Sequence, residues 1–271
     1  MGVSDRYYFV WLREALERFE GESGQFAILR REGRPLELWV LAGSRMTPPT
    51  DFVLNALGRE TTTVRLLDKF ARTAGVSPID FNALDGVAEN SCDVLFMTRA
   101  SYMIEHPSSF LRDARRMVRP GGLVIIDWLH GFSDAPVLDL PGHHEYDGRR
   151  YPFLSTYCDP TFLSEFSRDF EAFLRHVNLP PWWVNLERPG APLPVGERIR
   201  RLLGARPRRQ VALTTYLEAL RGELSRAGKH LIEPPLLEQY FKVVFRHARY
   251  FYPLVGKFNL YAVTVLRPVG K

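Results

Sequence analysis

Three short apolar runs, LELWVLAG from Leu36, CDVLFMT from Cys92 and LVIIDWL from Leu123, are too continuous to alternate between a core and solvent. Strands of that kind are buried on both faces, the condition of a parallel sheet covered by helices. Stretches of helical period separate them. DFVLNALGRE follows the first, and PSSFLRDARRMVRPGG, closed by Pro120 and two glycines, joins the second to the third. A further strand, TTTVRLLD, and a short helix, KFARTAG, are expected in between. This alternation predicts an α/β fold with a doubly wound, mostly parallel sheet.

Both ends of the chain extend this plan. Tyr8, Trp11, Leu12, Ala15, Leu16 and Phe19 recur at helical spacing behind Ser4 and Asp5, predicting an amphipathic helix over residues 5–20 that lies against the main domain. Near the other end, TTYLEALRGELSRAG and LLEQYF read as helices. KVVFRHARYFYP and FNLYAVTVLRP read as two strands joined by a Gly-containing turn, an antiparallel pair added to the sheet. Residues 132–210 break the alternation with prolines and aromatics, and CDPTFLSEFSRDFEAFLRHV is their one clear helical period. The expected organisation is a lead-in over 1–35, a core over 36–131 and 211–271, and an insertion or lid over 132–210, which suits 271 residues.

Composition removes several classes. With 45% hydrophobic and 25% charged residues the chain is not a disordered or low-complexity one. A net charge of +5, from 36 cationic and 31 acidic residues, falls short of a dedicated nucleic-acid binder, so nucleic acid is not an expected partner. Cys92 and Cys158 cannot build a disulfide framework, and their scarcity fits a reducing, cytoplasmic location. The first residues lack the pattern of a signal peptide, and no apolar run approaches the roughly 20 residues of a transmembrane helix. Membrane contact is expected to be peripheral at most.

Residues 89–127, ENSCDVLFMTRASYMIEHPSSFLRDARRMVRPGGLVIID, resemble the class I S-adenosylmethionine-dependent methyltransferases. Asp93 stands where an acid opens that family's fourth strand, Arg116 near the end of the following helix, and Pro120-Gly121-Gly122 at the turn into the fifth. The resemblance implies a seven-stranded sheet ending in an antiparallel hairpin. It also implies a cofactor loop after strand one, where an acid precedes three glycines at alternate positions and the backbone closely approaches the ligand. Here that loop reads VLAGSRMTPPTDFV. Only Gly43 meets a glycine position, while Arg45 and Thr47 fill the other two and Leu41 the acidic place. Pro48 and Pro49 suit a first helical turn. Side chains at those points take the space a ligand needs, so the loop reads as degenerate and no cofactor is expected to bind tightly. Arg45 reads as a solvated loop residue, with contact to an anion as its alternative.

The other family positions are filled unevenly. Asp68 falls where an acid ending strand two would meet the ribose hydroxyls, but Val64, Leu67, Phe70, Ala71 and Ala74 also form a helical face that would leave it on the surface. Both readings stand. Asp80, Asn82 and Asp85 are candidates for the place after strand three that meets adenine, and Asn82 is carried forward. Arg99, after strand four, would bring a cation towards the sulfonium, which is unfavourable unless an acid neutralises it.

Three further features complete the reading. His143-His144 with Glu145 and Asp147 suggests a metal, yet adjacent residues of a strand point to opposite sides, and no metal is expected. His106 and His130 flank the carboxyl edge of the sheet and read as solvated. No nucleophile elbow, Walker loop or Cys-His pairing is present. In the insertion, Trp182 and Trp183 precede a basic run holding Arg198, Arg200, Arg201, Arg206, Arg208 and Arg209. Trp182, Trp183, Arg206, Arg208 and Arg209 are the candidates for docking a protein partner, possible also beside an anionic membrane surface. The chain therefore reads as a methyltransferase-like binding or scaffolding subunit of a larger complex. The alternative is an active S-adenosylmethionine-dependent enzyme acting on a small molecule under the 132–210 lid.

Overall fold

The apolar runs do form a buried parallel sheet. The computed structural model describes residues 3–132, 143–146, 149–157, 159, 185–187, 210–212, 221–222, 224–251 and 258–271. Its main sheet holds β1 (Leu36–Leu41), β2 (Thr62–Leu67), β3 (Val76–Ser77), β4 (Cys92–Met97) and β5 (Val118–Phe132). Four short strands follow, β6 (His143–Tyr146), β7 (Arg149–Pro152), β8 (Ser155–Tyr157) and β9 (Asn185–Glu187), then β10 (Gln210–Ala212) and β11 (His230–Ile232). The long pair β12 (Phe241–Phe251) and β13 (Phe258–Pro268) returns to the main sheet. The sheet order is β12-β13-β5-β4-β1-β2-β3, and β13 runs antiparallel to both of its neighbours. The seven strands and the terminal antiparallel pair are thus as expected.

Strand alternation divides the core between two faces. Leu36, Leu38, Val40, Val94, Phe96, Leu123 and Ile125 point towards α1 (Val3–Ser23), α2 (Gln25–Arg30) and α3 (Pro48–Leu57), which supply Trp11, Leu12, Leu16, Phe19, Phe26 and Val53. Leu41, Leu95, Met97, Val124, Ile126 and Trp128 point to the other face, against Phe110, Leu111, Ala114 and Met117 of α4 (Pro107–Met117). The amphipathic helix at the start forms as read, extended to Ser23. Thr47 caps α3 by accepting from the Thr50 N–H, and Pro48 and Pro49 occupy its first turn.

Helix cover thins towards β3, and here two expectations are corrected. KFARTAG forms turns and bends, not a helix. The Asp68 carboxylate accepts the Phe70 N–H at 2.9 Å, a local bond that competes with helix formation, and Gly75 adopts φ +84°. Of the two readings of Asp68 the strand therefore prevails, since β2 ends at Leu67. The second correction concerns the helix before the Pro-Gly-Gly turn, which stops at Met117, with Val118 already pairing Cys92. The register then shifts, and a Cβ at Gly122 would lie 2.5 Å from the Asp93 carbonyl oxygen. Glycine is required where the β5 backbone bulges against β4.

Of the later expectations, LLEQYF is helical over α5 (Pro234–Glu238), and Phe241 already belongs to β12. Within TTYLEALRGELSRAG, residues 221–222 and 224–226 are helical, and 214–220 and 223 lie outside the described residues. So do 160–184, which include most of the helical period of the insertion. From that insertion β8 pairs parallel with β11, and β6 pairs antiparallel with β7.

Candidate functional site at the carboxyl edge of the sheet

In an open α/β sheet, ligands bind beyond the carboxyl ends of the strands, where order reverses. That reversal lies between β1 and β4. After Leu41 the chain passes through Ala42 at φ +53°, and the Gly43 N–H donates to the Leu67 carbonyl at 3.2 Å. A Cβ at Gly43 would stand 2.6 Å from Cγ1 of buried Val40, so the chain itself needs glycine there. Arg45 is exposed, and Thr47 spends its hydroxyl on α3.

Beyond β2 and β3 the polar candidates come together and bond to the chain. Besides its bond to the Phe70 N–H, Asp68 stands directly after the last residue of β2. Asp80 pairs with Lys69 at 3.1 Å and accepts the Asn82 N–H at 2.9 Å. The Asn82 amide donates to the Met103 carbonyl at 3.1 Å and accepts the Glu105 N–H at 3.0 Å, tying the segment after β3 to the one after β4. Asp85 is exposed, and its carbonyl accepts from Arg116, which also binds the carbonyls of Leu84 and Val87.

Over this edge runs residues 149–157, fastened by three aromatic contacts. Tyr151 meets Phe70 after β2 at 5.0 Å between ring centroids. Phe153 meets Tyr102 after β4 edge-on at 4.2 Å, and Tyr157 stacks on Trp128 of β5 at 5.0 Å. The Leu154 N–H donates to the Tyr102 carbonyl at 2.7 Å, and the Ser155 hydroxyl to the Ser101 carbonyl at 2.6 Å. Aromatic pairs of this geometry contribute about 0.5–1.5 kcal/mol each beyond burial.

At the ends of β4 and β5 lies a cluster the sequence reading missed. Asp127 is buried, and both its oxygens accept the Arg99 N–H, at 2.7 and 2.9 Å. The Tyr8 hydroxyl of α1 donates to the same carboxylate. Arg99 adopts φ +53° and places its guanidinium over the Tyr8 ring, 5.4 Å from the centroid. Asp127 thus meets Arg99 at its backbone N–H, while the guanidinium lies over Tyr8. Burial pushes the Asp127 carboxyl up to about 6, against the opposing pull of Tyr8 and Arg99. A polar residue in the otherwise apolar run LVIIDWL was the available signal.

A second feature adjoins the strap, where the His230 N–H donates to the Leu154 carbonyl. A groove of about 460 Å³ opens beside the start of α4, lined by Ser108, Arg221, Lys229, His230 and Glu233 among others. Arg221 pairs with Glu233 at 2.5 Å, and the His106 and His230 rings are 6.3 Å apart. His143 and His144 are successive residues of β6, and among the described residues no group of three or more His, Cys, Asp or Glu could hold a metal ion. Cys92 is buried, which pushes its thiol up, and Cys158 lies outside the described residues. Trp182, Trp183, Arg206, Arg208 and Arg209 also lie outside them.

Residues 54–126 match the family model described as a methyltransferase domain. No curated protein matches the chain. Among solved structures it is similar to a Galdieria sulphuraria protein assigned as a sarcosine dimethylglycine methyltransferase, with TM-score 0.42 and 10% identity over 96% of this chain and 85% of that one. It is similar to TehB from Haemophilus influenzae, with TM-score 0.38 and 12% identity over 90% and 61%. A third is the N-methyltransferase NodS from Bradyrhizobium japonicum WM9 in complex with S-adenosyl-L-homocysteine, with TM-score 0.35 and 10% identity over 92% and 87%. Likenesses this distant set no residue correspondence.

Proposed function

We propose that this chain, which belongs to the class I S-adenosylmethionine methyltransferase-like family by its strand order and matched segment, no longer holds the cofactor tightly and serves as a binding or scaffolding subunit of a larger assembly. The observation that carries the reading is the aromatic strap, Tyr151, Phe153 and Tyr157, laid over the carboxyl ends of β2, β4 and β5. A cleft covered by the chain's own side chains offers less of the concave, apolar volume that a nucleoside needs.

The polar groups around it support the same reading. Asn82 uses both ends of its amide on the backbone, Asp80 is tied to Lys69, and Gly43 stands against Val40 with no room for a Cβ. The engagement of Asn82 and Asp80 within the chain supports the reading that adenosine is not held snugly. Partner docking rests on the sequence of the insertion, where Trp182, Trp183, Arg206, Arg208 and Arg209 combine interface-prone residue types. We place such an assembly in the cytoplasm, where the basic run of the insertion would also suit a position beside an anionic membrane surface. Among the described residues no helix is long and apolar enough to cross one.

Calorimetric titration of the purified chain with S-adenosylmethionine is the test. No binding heat at tens of micromolar is expected, and a dissociation constant in the low micromolar range overturns the reading. That result would favour an active methyltransferase for a small molecule, a reading that draws on Asp68 at the carboxyl end of β2. Charge reversal at Arg206, Arg208 and Arg209 is expected to weaken co-purification with a native partner.

A further inference from the structure

The carboxylate of Asp127 has no access to water, and what covers it is the beginning of α1. Across the sheet it is paired with Val263, which is paired in turn with His247. Two rings of α1 roof this row: Tyr8 bonds to Asp127, and Trp11 stacks on His247 at 6.2 Å. Farther along, Leu12, Leu16 and Phe19 fix the helix to the apolar face of the sheet. The helix is therefore held by apolar packing along its length, to which its early turns add the polar contact of Tyr8 with Asp127.

We propose that the first turns of α1 are a flap over the ends of β4 and β5, closed when Asp127 carries its proton and loosened when Asp127 loses it. A buried carboxylate gives up hydration that two donors replace only in part, whereas the neutral acid gives up much less. Lifting the first turns returns water to Asp127, and that gain is larger for the charged form. The direction follows by linkage: the closed state binds the proton more tightly than the open one, so rising pH favours opening. The described ionisable groups facing Asp127 are Tyr8 from α1, Arg99 from the turn after β4 and, across β13, His247 from β12; β13 presents Val263. The carboxyl pushed up to about 6 when covered agrees with this direction.

Amide hydrogen exchange of the intact chain tests the proposal, read on peptides covering residues 3–12 and corrected for the intrinsic pH dependence of exchange. A carboxyl returning to about 3.9 on opening predicts an opening constant about tenfold larger at pH 7.5 than at pH 5. Asp127→Asn, which imitates the neutral acid, is expected to keep the flap closed and abolish the pH dependence. Tyr8→Phe removes a donor that favours the charged form, so its ratio should exceed tenfold. An opening constant equal at the two pH values in the natural chain overturns the proposal. So does a tenfold dependence that survives in Asp127→Asn, which would assign the effect to His247, and so does an unchanged ratio in Tyr8→Phe.

Discussion

The guanidinium of Arg34 lies 2.6 Å from the carboxylate of Asp93, a side chain with no exposed surface. Arg119 meets the second oxygen at 2.7 Å, and the Glu37 N–H donates to it at 2.7 Å. One buried anion thus gathers the lead-in to β1, β1 itself and the bulge of β5 at the amino edge of the sheet. Its negative charge raises the proton affinity of Arg34 in turn. Asp93→Ala leaves both cations without their shared partner, and about 3 kcal/mol of stability should be lost in urea unfolding. Asp93→Asn, which keeps the shape, should lose less.

Gly43 distinguishes a glycine kept for a ligand from one kept for the chain. Its added Cβ would press on buried Val40 at 2.6 Å. Gly43→Ala is therefore expected to destabilise the ligand-free chain by about 1–3 kcal/mol. An unchanged melting temperature would show that the β1–α3 loop can relax away from Val40.

Asp127 makes global stability depend on pH. Its native carboxyl is raised to about 6, so between about pH 4 and 6 the native state binds more protons than the unfolded one, and stability falls as pH rises through that window. The full effect is about 3 kcal/mol. Urea midpoints at pH 4.5, 6 and 7.5 should show the decline in the natural chain and a flatter profile in Asp127→Asn.

Phe153 and Tyr157 anchor the strap over the carboxyl edge. Phe153→Ala removes a buried ring packed edge-on against Tyr102 and should cost about 3–5 kcal/mol of local stability. Limited proteolysis should then cut within 149–157 at least tenfold faster while the sheet stays intact. Equal cutting rates would mean that the strap is held mainly by the Leu154 and Ser155 hydrogen bonds.

The legible part of the fold was the part governed by periodicity. Continuous apolar runs fixed β1, β4 and β5, because a strand buried on both faces leaves no polar position to alternate with. KFARTAG was misread because its apolar spacing suits a helix, whereas the Asp68 side chain captures the Phe70 N–H and turns the chain first. At the site, Gly43 and Asp68 could be placed from their distance to strand ends. What those groups bond to could not, since the partners of Asn82 lie 21 and 23 residues away.

The sequence by itself determined the sheet, its helical cover near β1, β4 and β5, and the residue types of the loop after β1. Those follow from residue type and spacing, which act over a few neighbours. Tertiary structure alone decided that Asp127 accepts a hydrogen bond from Tyr8, 119 residues away, and that Tyr151, Phe153 and Tyr157 cross the carboxyl edge. Burial of a charge and contact between rings depend on which surfaces folding brings together, and distance along the chain does not encode that.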